Sequence, residues 1–187
     1  MSFLNQESVE TFFKHDCDHT VLTKHDETLI NLACRAIYSE HLNIKDKVQV
    51  SVEAEVSSVD GRSYMSDIEA RVKDEEKSLL DRSFPILAIL LDRFKKNPDL
   101  LEKEDSLPTS PGTTLHYFAC LNYVEGVKTI LDEPFIVSNN TKNKAGLTPL
   151  WLAAYYNYTQ LGTVLLDHGA EPNVQVCLTS YRRQSIT

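Results

Sequence analysis

Two seven-residue strings, Thr113-Thr-Leu-His-Tyr-Phe-Ala119 and Thr148-Pro-Leu-Trp-Leu-Ala-Ala154, share a pattern and lie 35 positions apart. The same offset pairs Asn122-Tyr123 with Asn157-Tyr158, and Ile130-Leu131-Asp132 with Leu165-Leu166-Asp167. Three segments in one phase mark two copies of one unit. A unit this short cannot bury its apolar side alone, so copies must stack and share a core. The downstream copy is the clearer. Thr148 is placed to cap a helix whose first position is Pro149, where proline's missing N–H costs nothing. Leu150, Ala153 and Ala154 give that helix a leucine and small residues on its buried side, so a second helix can approach closely. Leu161, Val164 and Leu165 recur at helical spacing and supply the second helix's stripe. Gly169 follows them, where a left-handed helix stop favours glycine.

The run Gly146-Leu-Thr-Pro-Leu-Trp-Leu-Ala-Ala154, with Leu161-Gly-Thr-Val-Leu-Leu166 and Gly169-Ala-Glu-Pro-Asn173, resembles an ankyrin repeat, the T-P-L-H-x-A pattern with Trp151 in place of histidine. The upstream copy is a more worn version of it. The usual period is about 33, which places two extra residues within Pro134–Asn143, where Ser138-Asn-Asn-Thr-Lys-Asn143 is rich in turn formers. The resemblance covers about 70 of the 187 residues. It implies an all-α fold, an ankyrin-repeat stack of helical hairpins (an α-solenoid) with a helical amino-terminal cap or insertion. Residues 106–174 are then two recognisable repeats, and 175–187 start a further one or end the array. It also implies that His116 bonds backbone between neighbouring repeats, a link that Trp151 would lack.

Residues 1–105 carry no clean motif but do carry helical periodicity. Glu27 to His41 reads as a helix with Leu29, Ile30, Ala33, Ile37 and Tyr38 in one stripe. Within it Thr28-Leu-Ile-Asn-Leu-Ala-Cys34 faintly echoes Thr114-Leu-His-Tyr-Phe-Ala-Cys120. Ser66 to Asp81 reads as a charged helix with Ile68, Val72, Leu79 and Leu80 inward and Glu69 four residues before Lys73. A separate apolar helix, Phe84 to Phe94, ends at Lys95-Lys-Asn-Pro98. Between them Val48, Val50, Val52, Ala54 and Val56 alternate, the period of a short strand or extended loop up to Val59, before a turn at Asp60-Gly61. The section is expected to be eroded hairpins with an insertion near 44–64. Its task would be to cover the repeat that starts near Pro108, because two repeats alone make a marginal stack. The alternative is an unrelated helical domain joined through Lys103–Pro111.

A net charge of −8, with only Lys95-Lys96 and Arg182-Arg183 as basic clusters, argues against nucleic acid as a partner. No apolar run approaches the length of a membrane span. The amino terminus, Met1-Ser-Phe-Leu-Asn-Gln-Glu7, lacks the basic flank and apolar stretch of a secretory signal. Cys17, Cys34, Cys120 and Cys177 show no paired spacing and are expected as reduced thiols. His15-Asp-Cys-Asp-His19, with His25 and Cys34, superficially suggests a metal. Zinc sites do not use that spacing, and a polar surface turn is the preferred reading. Nothing local marks a nucleophile at Cys17, Cys34 or Cys120. Six glycines are scattered singly, so no phosphate loop is present. No catalytic residue, metal or cofactor is expected; a metal or thiol role in His15–Cys34 ranks last.

Ankyrin repeats bind proteins, mainly through loop tips and the exposed side of the first helix. Carried onto the downstream copy, the resemblance implies contacts at Lys144, Ala145, Leu147, Tyr155 and Tyr156. On the upstream copy it implies Thr109, Ser110, Gly112, Cys120 and Leu121. The tyrosine pair stands out because aromatic residues are enriched among interface hot spots. Asn173 resembles the setting in which ankyrin asparagines are hydroxylated, although a turn asparagine bonding its own backbone is the preferred reading. The expected function is a monomeric protein-interaction module of the cytoplasm. In style it resembles ankyrin effectors that intracellular bacteria deliver into the host cytosol or nucleus as virulence factors. The alternative is a targeting segment of a larger hydrolase or transferase whose catalytic domain lies beyond residue 187.

Overall fold

The computed structural model describes residues 27–55, 61–94, 96–105, 111–132 and 137–175, together with residues 11, 18 and 20–23. Its elements are α1 (Leu29–Glu55), α2 (Gly61–Phe94), a 3-10 turn (Pro98–Leu101), α3 (Thr114–Cys120), α4 (Val124–Asp132), α5 (Pro149–Tyr155) and α6 (Thr159–Asp167). Every described element is helical, as the stack of hairpins requires.

One local device opens all three hairpins. The residue before each first helix is a threonine: Thr28, Thr113 and Thr148. The Asn31 N–H donates to Thr28 Oγ1 and the Trp151 N–H to Thr148 Oγ1, each at 3.2 Å. At the middle hairpin, His116 Nδ1 accepts from the Thr113 N–H at 3.3 Å and lies 2.8 Å from Thr113 Oγ1. These bonds use backbone donors that a helix start leaves orphaned. The loop before each cap closes the same way too. Thr23, Asp105 and Asn143 donate their N–H to the carbonyls of Glu27, Gly112 and Leu147, at 3.0, 3.2 and 2.9 Å. In each case the acceptor immediately precedes the cap. Thr28 therefore corresponds to Thr113, one residue away from the pairing with Thr114 that the sequence echo suggests.

The turns inside the hairpins repeat as well. Asn122 and Asn157 both adopt left-handed backbone, with φ of 55° and 59°. Asparagine tolerates that region better than other non-glycine residues. Gly169 ends α6 at φ 82°, the stop expected of it.

Helices α1, α3 and α5 lie side by side in that order, with α2, α4 and α6 in a second row behind them. A single apolar core runs through both rows, from Ile30 to Ala170. Its middle is closed on every side: each residue from Pro111 to Leu121 is buried. Two polar joints tie neighbouring hairpins. His116 Nε2 donates to the Leu147 carbonyl at 3.1 Å, the inter-repeat link that the resemblance implies. His168 donates from Nδ1 to the Val164 carbonyl at 2.7 Å and from Nε2 to Asp132 at 2.6 Å. The two imidazoles therefore sit in opposite states. His116 must accept at one nitrogen, so it is neutral, and burial holds its pKa down at about 4. Both nitrogens of His168 face acceptors, so the ring is best satisfied as imidazolium. The Val164 carbonyl first, then Asp132, raises its pKa.

Two sequence expectations are corrected. The alternating valines from Val48 do not form a strand: α1 continues through them to Glu55, and residues 56–60 lie outside the described residues. Valine costs a helix only a few tenths of a kcal/mol, too little to end one. The helices expected at Ser66–Asp81 and Phe84–Phe94 are one 34-residue helix with Pro85 inside it. Proline there removes the bond to the Asp81 carbonyl and costs about 3 kcal/mol. Burial of Leu79, Ile86, Leu87, Leu90, Leu91 and Phe94 on both sides of the break offsets that cost.

Two glycines should respond oppositely to alanine. A Cβ on Gly126 would lie 2.3 Å from the Tyr123 ring and 2.8 Å from Phe118, whereas one on Gly162 meets nothing within 4 Å. In urea denaturation, Gly126→Ala should lose roughly 1–3 kcal/mol. Gly162→Ala should gain roughly 0.5–1 kcal/mol from helix propensity alone. The histidines predict a pH dependence. The contribution of neutral His116 is complete above pH 6.5 and is lost as pH falls towards 4, on the order of 3 kcal/mol. That of protonated His168 is complete below pH 6.5 and is lost as pH rises through its raised pKa. Denaturation midpoints against pH should therefore show a shallower acid loss for His116→Asn and a flatter alkaline side for His168→Gln.

Candidate protein-contact surface

Tyr155, the last residue of α5, keeps 57% of its surface exposed. Its ring stacks on Trp151, one helical turn earlier, at a centroid distance of 5.2 Å and 12° between planes. Four-residue spacing places the two on one helix face. Tyr156 turns its ring edge-on to Tyr155 at 5.0 Å, stacks on Tyr158 at 5.6 Å, and carries the Lys45 ammonium 5.3 Å over its centre. Tyr155 is thus the outward ring of the pair, and Tyr156 is half-buried behind it.

At the hairpin tip of the same repeat Lys144 is exposed, and its Nζ donates to the Asp105 carbonyl at 2.7 Å. Ala145 is half-buried, its N–H held by Asn143 Oδ1 at 3.0 Å. Asn143 also accepts from the Leu147 N–H and donates to the Pro111 carbonyl, so its side chain fixes the tip to the preceding repeat. Below the tip lies an ionic joint that the sequence does not announce. Asp105, buried, receives the Tyr117 hydroxyl at 2.7 Å and the Arg35 guanidinium at 3.2 Å, and Arg35 also binds Glu27 at 2.6 Å. Its members lie up to 90 positions apart in sequence (Glu27 to Tyr117), with no local spacing to betray them.

Four expected contacts are withdrawn by burial. Leu147 is 2% exposed, Cys120 2% and Leu121 0%. Leu147 belongs to the core, and its carbonyl serves His116. Cys120 and Leu121 close the middle hairpin under α1, where Tyr38 meets Tyr117 edge-on at 6.0 Å and hydrogen-bonds Cys120. The resemblance gave these positions to a partner; here the chain's own longest hairpin covers them. Gly112 is buried as well, with φ 125° and a Cβ position 2.7 Å from Asn143 Cβ. Thr109 and Ser110 lie outside the described residues. Asn173 is exposed in the turn after α6.

The remaining chemistry is quiet. Burial pushes the Cys120 thiol up to about 12 and Cys34 higher still, so neither is a thiolate. His15, Cys17, His19 and His25 lie outside the described residues. Among the described residues no group of three or more histidines, cysteines and carboxylates is placed to hold a metal. No described helix is long and apolar enough to cross a membrane.

Comparison with known proteins agrees with this geometry. The family model for ankyrin repeats (3 copies) matches residues 80–176, just over half of the chain, beginning inside α2. Over 60 residues, 32% of the chain, the sequence is 38% identical to an ankyrin repeat protein of fowlpox virus (strain NVSL). The match spans 8% of that relative's length. Threonine caps, left-handed asparagine turns, the histidine joint and the family match all describe one object, and the chain belongs to the ankyrin-repeat family.

Proposed function

We propose that the third repeat carries the chain's contact surface for a protein partner, with Tyr155 as its anchor and Lys144 and Ala145 at its tip. Ankyrin repeats are protein-interaction modules, and among the described residues no group of three or more histidines, cysteines and carboxylates is placed to hold a metal. The observation that carries the reading is the exposed Tyr155 ring, backed by Trp151. A rigid, exposed aromatic is the type of residue on which binding energy concentrates. Burial of Cys120 and Leu121 in the middle repeat favours the third repeat for this surface. Tyr156 supports the anchor from behind, and the net charge of −8 favours a neutral or basic partner. In this reading the module works as a monomer, without a cofactor. The same surface would serve a host-directed binding protein of the cytosol or nucleus. It would equally serve a segment that brings a larger hydrolase or transferase to its target, and the presence or absence of a catalytic domain in the full gene product separates those two uses.

A photo-crosslinking amino acid at position 155 should trap the partner, while the same group at Lys73, on the exposed side of α2, should not. With the partner in hand, Tyr155→Ala and Lys144→Glu should each weaken binding about tenfold or more, with thermal midpoints within 2–3 °C of wild type. Undiminished affinity in both variants would remove the third repeat as the contact surface.

A further inference from the structure

Helices α3 to α6 have 7–9 residues, whereas α1 has 27 and α2 has 34. At 1.5 Å per residue α1 runs about 40 Å against about 10 Å for α3. The surplus length leans over the inter-helix turns of the second and third repeats. Tyr38 packs on Tyr117 and bonds Cys120, Lys45 covers the Tyr156 ring, and Phe84 stacks on Tyr123 at 4.1 Å. The Glu76 carboxylate lies close enough to Tyr158 to add to the burial that pushes its phenol up to about 12.

Under this cover lies a polar cluster whose bonding is incomplete. His41 is 3% exposed, and neither ring nitrogen has a hydrogen-bond partner among the described residues. Glu76 Oε1, also buried and without one, stands 3.8 Å from His41 Nδ1 and 3.6 Å from Lys45 Nζ. Natural folds leave few buried polar groups in this condition. Beside the cluster, Glu40 and Arg82 pair at 2.6 Å on the exposed side. From the second and third repeats it is faced by Cys120, near Lys45, and Tyr158, near Glu76. Both stay neutral throughout the acid range.

We propose that the extended part of the first hairpin, residues 36–47 of α1 and 67–82 of α2, is a lid over the inter-helix turns of the second and third repeats, latched while His41 is neutral and released by acid. An imidazolium formed in place would be cut off from water beside the Lys45 ammonium. Opening the lid hydrates it. Burial first, and Lys45 second, hold the closed-state pKa of His41 at about 4 against an ordinary 6.5. The closed lid therefore prefers neutral histidine, a preference complete above pH 6.5 and lost as pH falls towards 4. From those two values the opening equilibrium rises about twentyfold between pH 7 and pH 5. The inference stands apart from the contact surface assigned to Tyr155.

Hydrogen–deuterium exchange of the full chain at pH 7 and pH 5, corrected for intrinsic exchange rates, tests it. Amides of residues 36–47 and 67–82 should exchange about twentyfold faster at pH 5 after correction. Those of α3 to α6 should lose only the protection that titration of His116 removes, and in a His116→Asn background should not change. His41→Phe, which keeps the bulk and cannot titrate, should abolish the difference; His41→Gln serves the same purpose if the phenylalanine variant misfolds. Unchanged or increased protection of the lid at pH 5 would overturn the proposal, the increase because the 3.8 Å gap to Glu76 would then be closing into an ion pair. Equal losses in every helix of the His116→Asn background, or an undiminished pH effect in the His41 variants, would overturn it too.

Discussion

The burial of α3 is the constraint on which the molecule rests. Thr114 to Cys120 is a seven-residue helix with no side chain left in water, and a helix that short has no stability of its own. It exists because α1 and α5 flank it, α4 backs it, and the Asp105 network closes its hairpin tip. Each polar group it buries has a partner. Thr114 Oγ1 donates to Asn31 Oδ1, His116 reaches Leu147, and Tyr117 reaches Asp105. Leaving any of these unpaired at that depth would cost on the order of 1–3 kcal/mol. The flanking repeats are thus required by the middle one, and the first hairpin is a structural partner rather than an appendage.

How far the sequence foretold this depends on how local the signal was. Threonine caps, helix-opening Pro149 and the Asn122 and Asn157 turns are short-range devices, so the two later repeats could be read residue by residue. In the first hairpin the local signals misled. Alternating valines resemble a strand, and Pro85 resembles a helix boundary, yet both sit inside long helices. Around Pro85 the conformation is decided by packing of its buried neighbours, a force that single-residue preference does not contain. The echo at Thr28 was visible but displaced by one residue. Resemblance between side chains does not fix register, whereas the cap bond does.

The contact surface shows the same division. Exposure of Tyr155 follows from its position at the end of α5, and the i, i+4 spacing with Trp151 was there to be seen. Burial of Cys120 and Leu121 was not legible, because the covering element comes from residues about 80 positions upstream and is longer than a standard repeat allows. Family resemblance transfers positions faithfully only while the neighbours of those positions are also of family type. Here one neighbour is not.

The third residue of the three first helices is in turn Asn31, His116 and Trp151. Amide and imidazole each seize a group on the following hairpin: Asn31 takes Thr114, and His116 takes the Leu147 carbonyl. Such bonds are directional, so they set the angle at which one hairpin meets the next. Indole in the third position carries the Tyr155 ring instead, stacked at 5.2 Å. Curvature is consequently pinned from α1 to α5.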